Sequence, residues 1–198
     1  MAYPEPSSPT DIGTFHMANR AIVVVDLQNE YLASGKLPLV GIQGAVSNAA
    51  RLIAAARSRG DLLVHVRHES PAADAPVFAA GSENVKIIAA VAPTDGETVV
   101  VKRYPNSFRD TGLKALLDEK GVEEVVVIGA MSHMCIDATT RAAADFGYSV
   151  TVVHDACATR DLEFGGRAVA AAEVHAAYMA ALGWAYAQVV SADEFLAR

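Results

Sequence analysis

Three residues of different chemistry stand close to where apolar, β-branched runs give way to polar chain: Asp26 in VVVDLQNEY, Lys102 in VVVKRYPNSF, and Cys135, six residues past Gly129 in VVVIGAMSHMC. A thiol becomes a nucleophile as thiolate, and a helix N-terminus or a neighbouring ammonium favours that form. A carboxylate within reach can take the proton. The trio therefore contains a nucleophile, a base and an electrostatic partner, which is the equipment of covalent hydrolysis. Taken singly, each has an ordinary reading. An Asp ending a strand caps a turn, and a Lys there is a solvated edge. Cys135 shares a stripe with Thr139, Ala142 and Phe146, which fits a small buried residue. The chemistry requires elements that bring all three to one place.

Those elements are visible as a pattern. The runs AIVVVD, LLVHVR, TVVVK, EVVVIG, VTVVH and AQVV are apolar enough to be covered on both faces, as in a parallel sheet. Helical spacing appears between them. It links Ala45, Ala49, Leu52, Ile53 and Ala56, then Leu113, Leu116 and Leu117, then Ile136, Ala143 and Phe146, and last Val169, Ala172, Ala176 and Met179. Gly60, Gly121 and Gly147 stand where those helices should stop. Alternating strands and helices predict a three-layer α/β/α domain with right-handed crossovers. Ligands of such sheets bind beyond the carboxyl ends of the strands, and Asp26, Lys102 and Cys135 all fall on that rim. Residues 1–17, rich in Pro, Ser and Thr, read as a flexible leader, and 18–198 as a single domain. The connection over 68–96, with Pro71, Pro76 and Pro93, reads equally as a lid carrying a short helix or as a surface excursion.

Bulk properties narrow the function. A formal net charge of −7 without any basic run argues against nucleic acid or an anionic membrane as partner. No stretch is apolar enough for a spanning helix and none resembles a secretion signal, so a cytoplasmic protein is expected. Neither G-x-G-x-x-G nor G-x-x-x-x-G-K-[ST] follows a strand, which counts against a dinucleotide or nucleoside triphosphate cofactor. The two cysteines, Cys135 and Cys157, make no disulfide framework, and no Cys/His spacing points to structural zinc.

With these blocks in view, VVVDLQNEY, VVKRYPNSFRDTGL and VVVIGAMSHMCIDATTRAAADFGYSVTVVHDACAT together resemble the isochorismatase-like cysteine hydrolases. That superfamily includes nicotinamidases, N-carbamoylsarcosine amidohydrolases, ureidoacrylate hydrolases and streptothricin hydrolases. The resemblance covers about residues 20–190. It implies a six-stranded parallel sheet of order 3-2-1-4-5-6, an isochorismatase-like and Rossmann-like arrangement, with catalytic Asp26, Lys102 and Cys135 at its rim. It also implies a cis peptide between Ala130 and Met131, and an oxyanion hole made by the backbone amides of Met131 and Cys135. The implied activity is hydrolysis of an amide, ureide or lactam C–N bond in a small molecule through a thioester, without a cofactor, by a homodimer or homotetramer.

The metal site of nicotinamidases is not reproduced. Its Asp-x-His spacing after the second strand is replaced here by HVRHESPAAD, where His65 and His68 would point to opposite sides of a strand. No metal is expected. His68 and Glu69 lie beyond that strand as substrate contacts or as solvated surface. His133 is open between the pocket, a subunit contact and the first helical turn. Phe108 matches a pocket-wall position in relatives, and Tyr31 and Leu37 follow the first rim loop; each could equally be core. Asn106 and Ser107 are read as caps of a helix starting near Phe108. Two competing functions remain. One is vinyl ether hydrolysis of the isochorismatase type, which needs no thiol, and the other is a non-catalytic redox or small-molecule binding protein using Cys135 as sensor.

Overall fold

The β-branched runs become strands of one parallel sheet in the computed structural model, which describes residues 19–72 and 74–198. The leader expected over 1–17 lies outside the described residues. The strands are β1 (Arg20–Val25), β2 (Leu62–His68), β3 (Thr98–Lys102), β4 (Glu124–Ala130) and β5 (Ser149–Ala158). A short antiparallel ribbon follows, formed by β6 (Leu162–Phe164) and β7 (Arg167–Val169), before β8 (Gln188–Val190) closes the sheet. The order β3-β2-β1-β4-β5-β8 is the expected one, with β8 in sixth place because the ribbon intervenes.

Alternation along the strands divides the core in two. Ile22, Val24, Val126 and Ile128 face helix α1 (Ile42–Arg59) and helix α5 (Ala192–Leu196). Ala21, Val23, Val25, Val125 and Val127 face helices α2 (Leu113–Glu119), α3 (Asp137–Asp145) and α4 (Ala171–Ala185). Coverage on both faces is why β1 is buried at every position after its first, and why its sequence shows no polar alternation. Helix α1 buries the stripe expected of it, Ala45, Ala49, Leu52, Ile53 and Ala56, and ends at Gly60, whose φ of 78° is left-handed. Among the described residues no helix is long and apolar enough to cross a membrane.

Two expectations need correction, and a third reading, left open, is narrowed. The buried stripe of α4 is Ala171, Val174, Met179 and Leu182, while Ala172 and Ala176 are exposed and Val169 belongs to β7. In a helix where alanine fills most positions, the few large side chains set the buried phase, and alanine spacing carries little information. Helix α2 starts at Leu113, not near Phe108. The preceding residues form turns in which Asn106 Oδ1 accepts the Phe108 N–H at 2.9 Å, a local bond that competes with helix. The connection after β2 is bound down along part of its length. Asn29 and Glu30 donate their backbone N–H groups to the carbonyls of Lys86 and Asn84, and Phe78, Val85, Ile88 and Val91 enter the core.

Candidate active site

Each residue of the trio is placed by a different device. Asp26 follows β1 directly, and its N–H extends the sheet by bonding the Val66 carbonyl at 2.9 Å. Its φ of 53° lies in the left-handed region, a conformation that costs a non-glycine residue on the order of 1 kcal/mol or more. Lys102 ends β3 at the edge of the sheet, yet is 1% exposed, so it is no solvated edge. Cys135 lies in a π-helical turn, Ser132–Ile136, between β4 and α3, where the Ile136 N–H reaches back to the Met131 carbonyl at 3.2 Å. The Ala130–Met131 peptide preceding that turn is cis. Before it, Gly129 has φ 128°, and a Cβ there would sit 1.9 Å from the Val25 carbonyl oxygen. Only glycine lets β4 approach β1 so closely at the point where the chain turns toward Cys135.

These devices bring the three side chains together. The Lys102 ammonium is 2.7 Å from Asp26 Oδ2 and 3.3 Å from Cys135 Sγ. The contact to Asp26 is a close ion pair without the alignment of a hydrogen bond, and Asp26 Oδ1, fully buried, meets no donor among the described residues. A carboxylate oxygen of Asp26, a ring nitrogen of His68 and the Cys135 sulfur all lie within 4.8 Å of one another, and the ammonium contacts all three residues. Burial and the Asp26 charge push the Cys135 thiol up to about 12, against the pull of Lys102. Burial and Asp26 thus favour the neutral thiol, and the carboxylate expected to take its proton stands beside it. Burial works against the Lys102 charge as well, but Asp26 and Cys135 outweigh it and raise its pKa.

The surrounding candidates fall in different places. Tyr31, 1% exposed, packs edge-on against Phe78 at 5.4 Å, and burial, Asp26 and Cys135 keep its phenol protonated. His68 joins the trio: its Nδ1 is 3.0 Å from the Lys102 ammonium. Burial and Lys102 both lower its pKa. His65, by contrast, faces Glu97 at 3.1 Å. Glu69 pairs with Arg67, and Leu37 is half-buried with its N–H on the Glu30 carbonyl. Phe108 packs edge-on against Phe146 at 5.2 Å, in the same apolar cluster as Cys135. His133 lies in the π-helical turn and is engaged within the chain, with Nδ1 at 2.6 Å from Thr159 Oγ1 and its ring against Tyr178.

Three contributors were not singled out from sequence. Gln28, fully buried, holds the His68 backbone on both sides, donating to its carbonyl and accepting its N–H. The buried Glu30 carboxylate accepts N–H groups from Lys36 at 2.9 Å and Phe78 at 2.8 Å, which fastens the long connection beside the site. Phe78 covers His68 with ring centroids 5.0 Å apart. The signal available was the alternation Asp26, Gln28, Glu30 directly after β1, three polar residues where a buried strand has just ended. The 550 Å³ cavity between Arg57, Asp61, Glu97 and Lys120 opens at the opposite, amino end of the sheet and does not touch this chemistry.

Comparison with known proteins agrees with this architecture. The isochorismatase domain model matches residues 20–194. The chain is 46% identical to YddQ of Bacillus subtilis, an uncharacterized isochorismatase family protein, over 89% of its own length and 98% of that protein's. It is 33% identical to the maleamate amidohydrolase of Pseudomonas putida, covering 71% of this chain and 72% of that one. A solved structure of an isochorismatase hydrolase from Oleispira antarctica superposes with a TM-score of 0.90 at 50% identity, covering 94% of this chain and all of that one (100%). The chain belongs to the isochorismatase family and is a hydrolase of that fold.

Proposed function

We propose that this hydrolase cleaves a small-molecule amide or related C–N bond through a thioester on Cys135, with Asp26 as proton carrier and Lys102 as its charge partner. The observation that carries the reading is the buried contact of one ammonium with both a carboxylate, at 2.7 Å, and a thiol, at 3.3 Å. The amidohydrolase named among the relatives supports the same bond type.

In this mechanism the neutral thiol passes its proton to Asp26 while sulfur forms a bond to the substrate carbonyl carbon. The carbonyl π electrons move to oxygen, and the backbone N–H groups of Met131 and Cys135 hold the resulting oxyanion. Collapse of the adduct breaks the C–N bond, and Asp26 returns the proton to the departing nitrogen. Water then adds to the thioester, giving its proton to the same carboxylate. When the acid leaves, that proton restores the thiol. Lys102 remains an ammonium throughout and holds the Asp26 carboxylate in place between transfers.

A panel of small amides, ureides and lactams tests the proposal with intact-protein mass spectrometry. A thioester adduct on Cys135 is expected, and Cys135→Ala is expected to lose on the order of 10⁴-fold or more in kcat while remaining folded. Full turnover by that variant would remove the thiol from the reaction.

A further inference from the structure

An ammonium carries three N–H bonds, and three polar atoms surround that of Lys102: Asp26 Oδ2 in an ion pair at 2.7 Å, and the acceptors His68 Nδ1 at 3.0 Å and Cys135 Sγ at 3.3 Å. Two of these belong to the proposed reaction, and the third has no role in it. Yet His68 is held with care. Gln28 accepts its N–H at 2.8 Å and donates to its carbonyl at 3.0 Å, and Phe78 packs against its ring.

We propose that His68 is a positioning residue, whose neutral imidazole accepts a lysine proton through Nδ1 and so fixes the Lys102 ammonium between Asp26 and Cys135. The proposal rests on the reading of Cys135 chemistry above. An ammonium only donates, so the ring nitrogen facing it must present a lone pair, and the single proton of the neutral ring then resides on Nε2. Protonating His68 would remove the acceptor and place a second cation 3.0 Å from the first. The groups facing the ring are Lys102 from β3, Asp26 after β1, Cys135 from the π-helical turn and the uncharged Phe78. Burial and Lys102 keep the imidazole neutral, and Asp26 opposes them. Acidification below the ordinary histidine value of about 6.5 is thus expected to unseat the lysine as the ring takes up a proton.

Two variants separate positioning from packing. His68→Leu fills the space without an acceptor, and His68→Asn keeps an acceptor oxygen without a group that titrates. With an amide that the wild type hydrolyses, His68→Leu is expected to lose about 100-fold in kcat with KM changed less than about threefold. His68→Asn should recover most of that loss, and its acidic limb should move to lower pH. Wild-type kcat in His68→Leu, or an unmoved acidic limb in His68→Asn, overturns the proposal. Nitrogen-15 NMR of the imidazole tests the same point without turnover, so it stands apart from the amidase reading. Nε2 should carry the proton at neutral pH, and Lys102→Met should move the His68 titration to higher pH. A mixed tautomer, or a titration indifferent to Lys102, would also overturn it.

Discussion

At the scale of single residues, the buried Asp26–Lys102 pair sets both the reactivity and the fragility of the site. Both side chains are fully buried, so removing one partner strands the other's charge away from water. Lys102→Met is expected to lose activity and about 3–5 kcal/mol of stability, while adding Asp26→Asn to it should restore part of the stability and none of the turnover. Urea titrations decide, and a single variant as stable as wild type would mean that the charges are not sealed. The sulfur gives a second prediction. With its pKa pushed up to about 12 by burial and Asp26, Cys135 should react with iodoacetamide ever faster as pH rises, with no plateau near neutrality. A plateau between about pH 6 and 8 would show a standing thiolate and leave Asp26 without a proton to accept. The three residue types were readable because each lies near the end of an apolar run. The protonation state was not, since it depends on how deeply the folded chain buries Cys135, and on side chains such as Tyr31 that pack around the site from elsewhere.

At the scale of elements, the parallel strands were legible because burial on both faces leaves unbroken β-branched runs, and helix ends were legible at Gly60, where the cap needs a left-handed φ. Strands β6 and β7, three residues each, are too short to show a period, and the alanine surface of α4 hid its phase. The long connection was ambiguous because much of what holds it lies elsewhere in the chain, in the segment after β1 that includes the buried Glu30 carboxylate. Glu30→Gln replaces an acceptor of three N–H groups with a neutral amide, and a loss of about 1–3 kcal/mol is expected. Faster hydrogen exchange at the Phe78 amide should accompany it; unchanged protection there would mean the connection is held by its apolar residues alone. Gly129→Ala is a sharper case. Its Cβ would overlap the Val25 carbonyl oxygen at 1.9 Å, so β1 and β4 must separate next to both Asp26 and the turn carrying Cys135. Stability should fall by more than about 2 kcal/mol and turnover with it, and a variant with wild-type melting and activity would contradict that packing.

At the scale of the whole molecule, acid stability is expected to be governed in large part from the end of the sheet opposite the thiol. There the Glu97 carboxylate accepts from Arg57 at 2.7 Å, from the Thr94 N–H at 2.9 Å and faces His65 Nε2 at 3.1 Å. Arg57 holds the Glu97 carboxyl at about 2, although burial works the other way. Burial, partly offset by Glu97, lowers the pKa of His65, which is fully buried. Both shifts act in one direction. The unfolded chain takes up a proton at His65 near pH 6.5 and at Glu97 near pH 4.3, in each case before the folded protein does. Stability held above those values must therefore fall as pH drops, first just below about 6.5 and again between about 4 and 2. His68, His133 and His175 are depressed by burial as well and add to the upper stage, so His65→Leu should shrink that stage without abolishing it. Glu97→Gln should instead weaken the lower one. Denaturation midpoints followed from neutral pH down to about 3 test both assignments. A wild-type curve flat through the histidine range would mean that folding depresses none of these imidazoles, and one that His65→Leu leaves unaltered would mean that the Glu97 charge fully offsets the burial of His65.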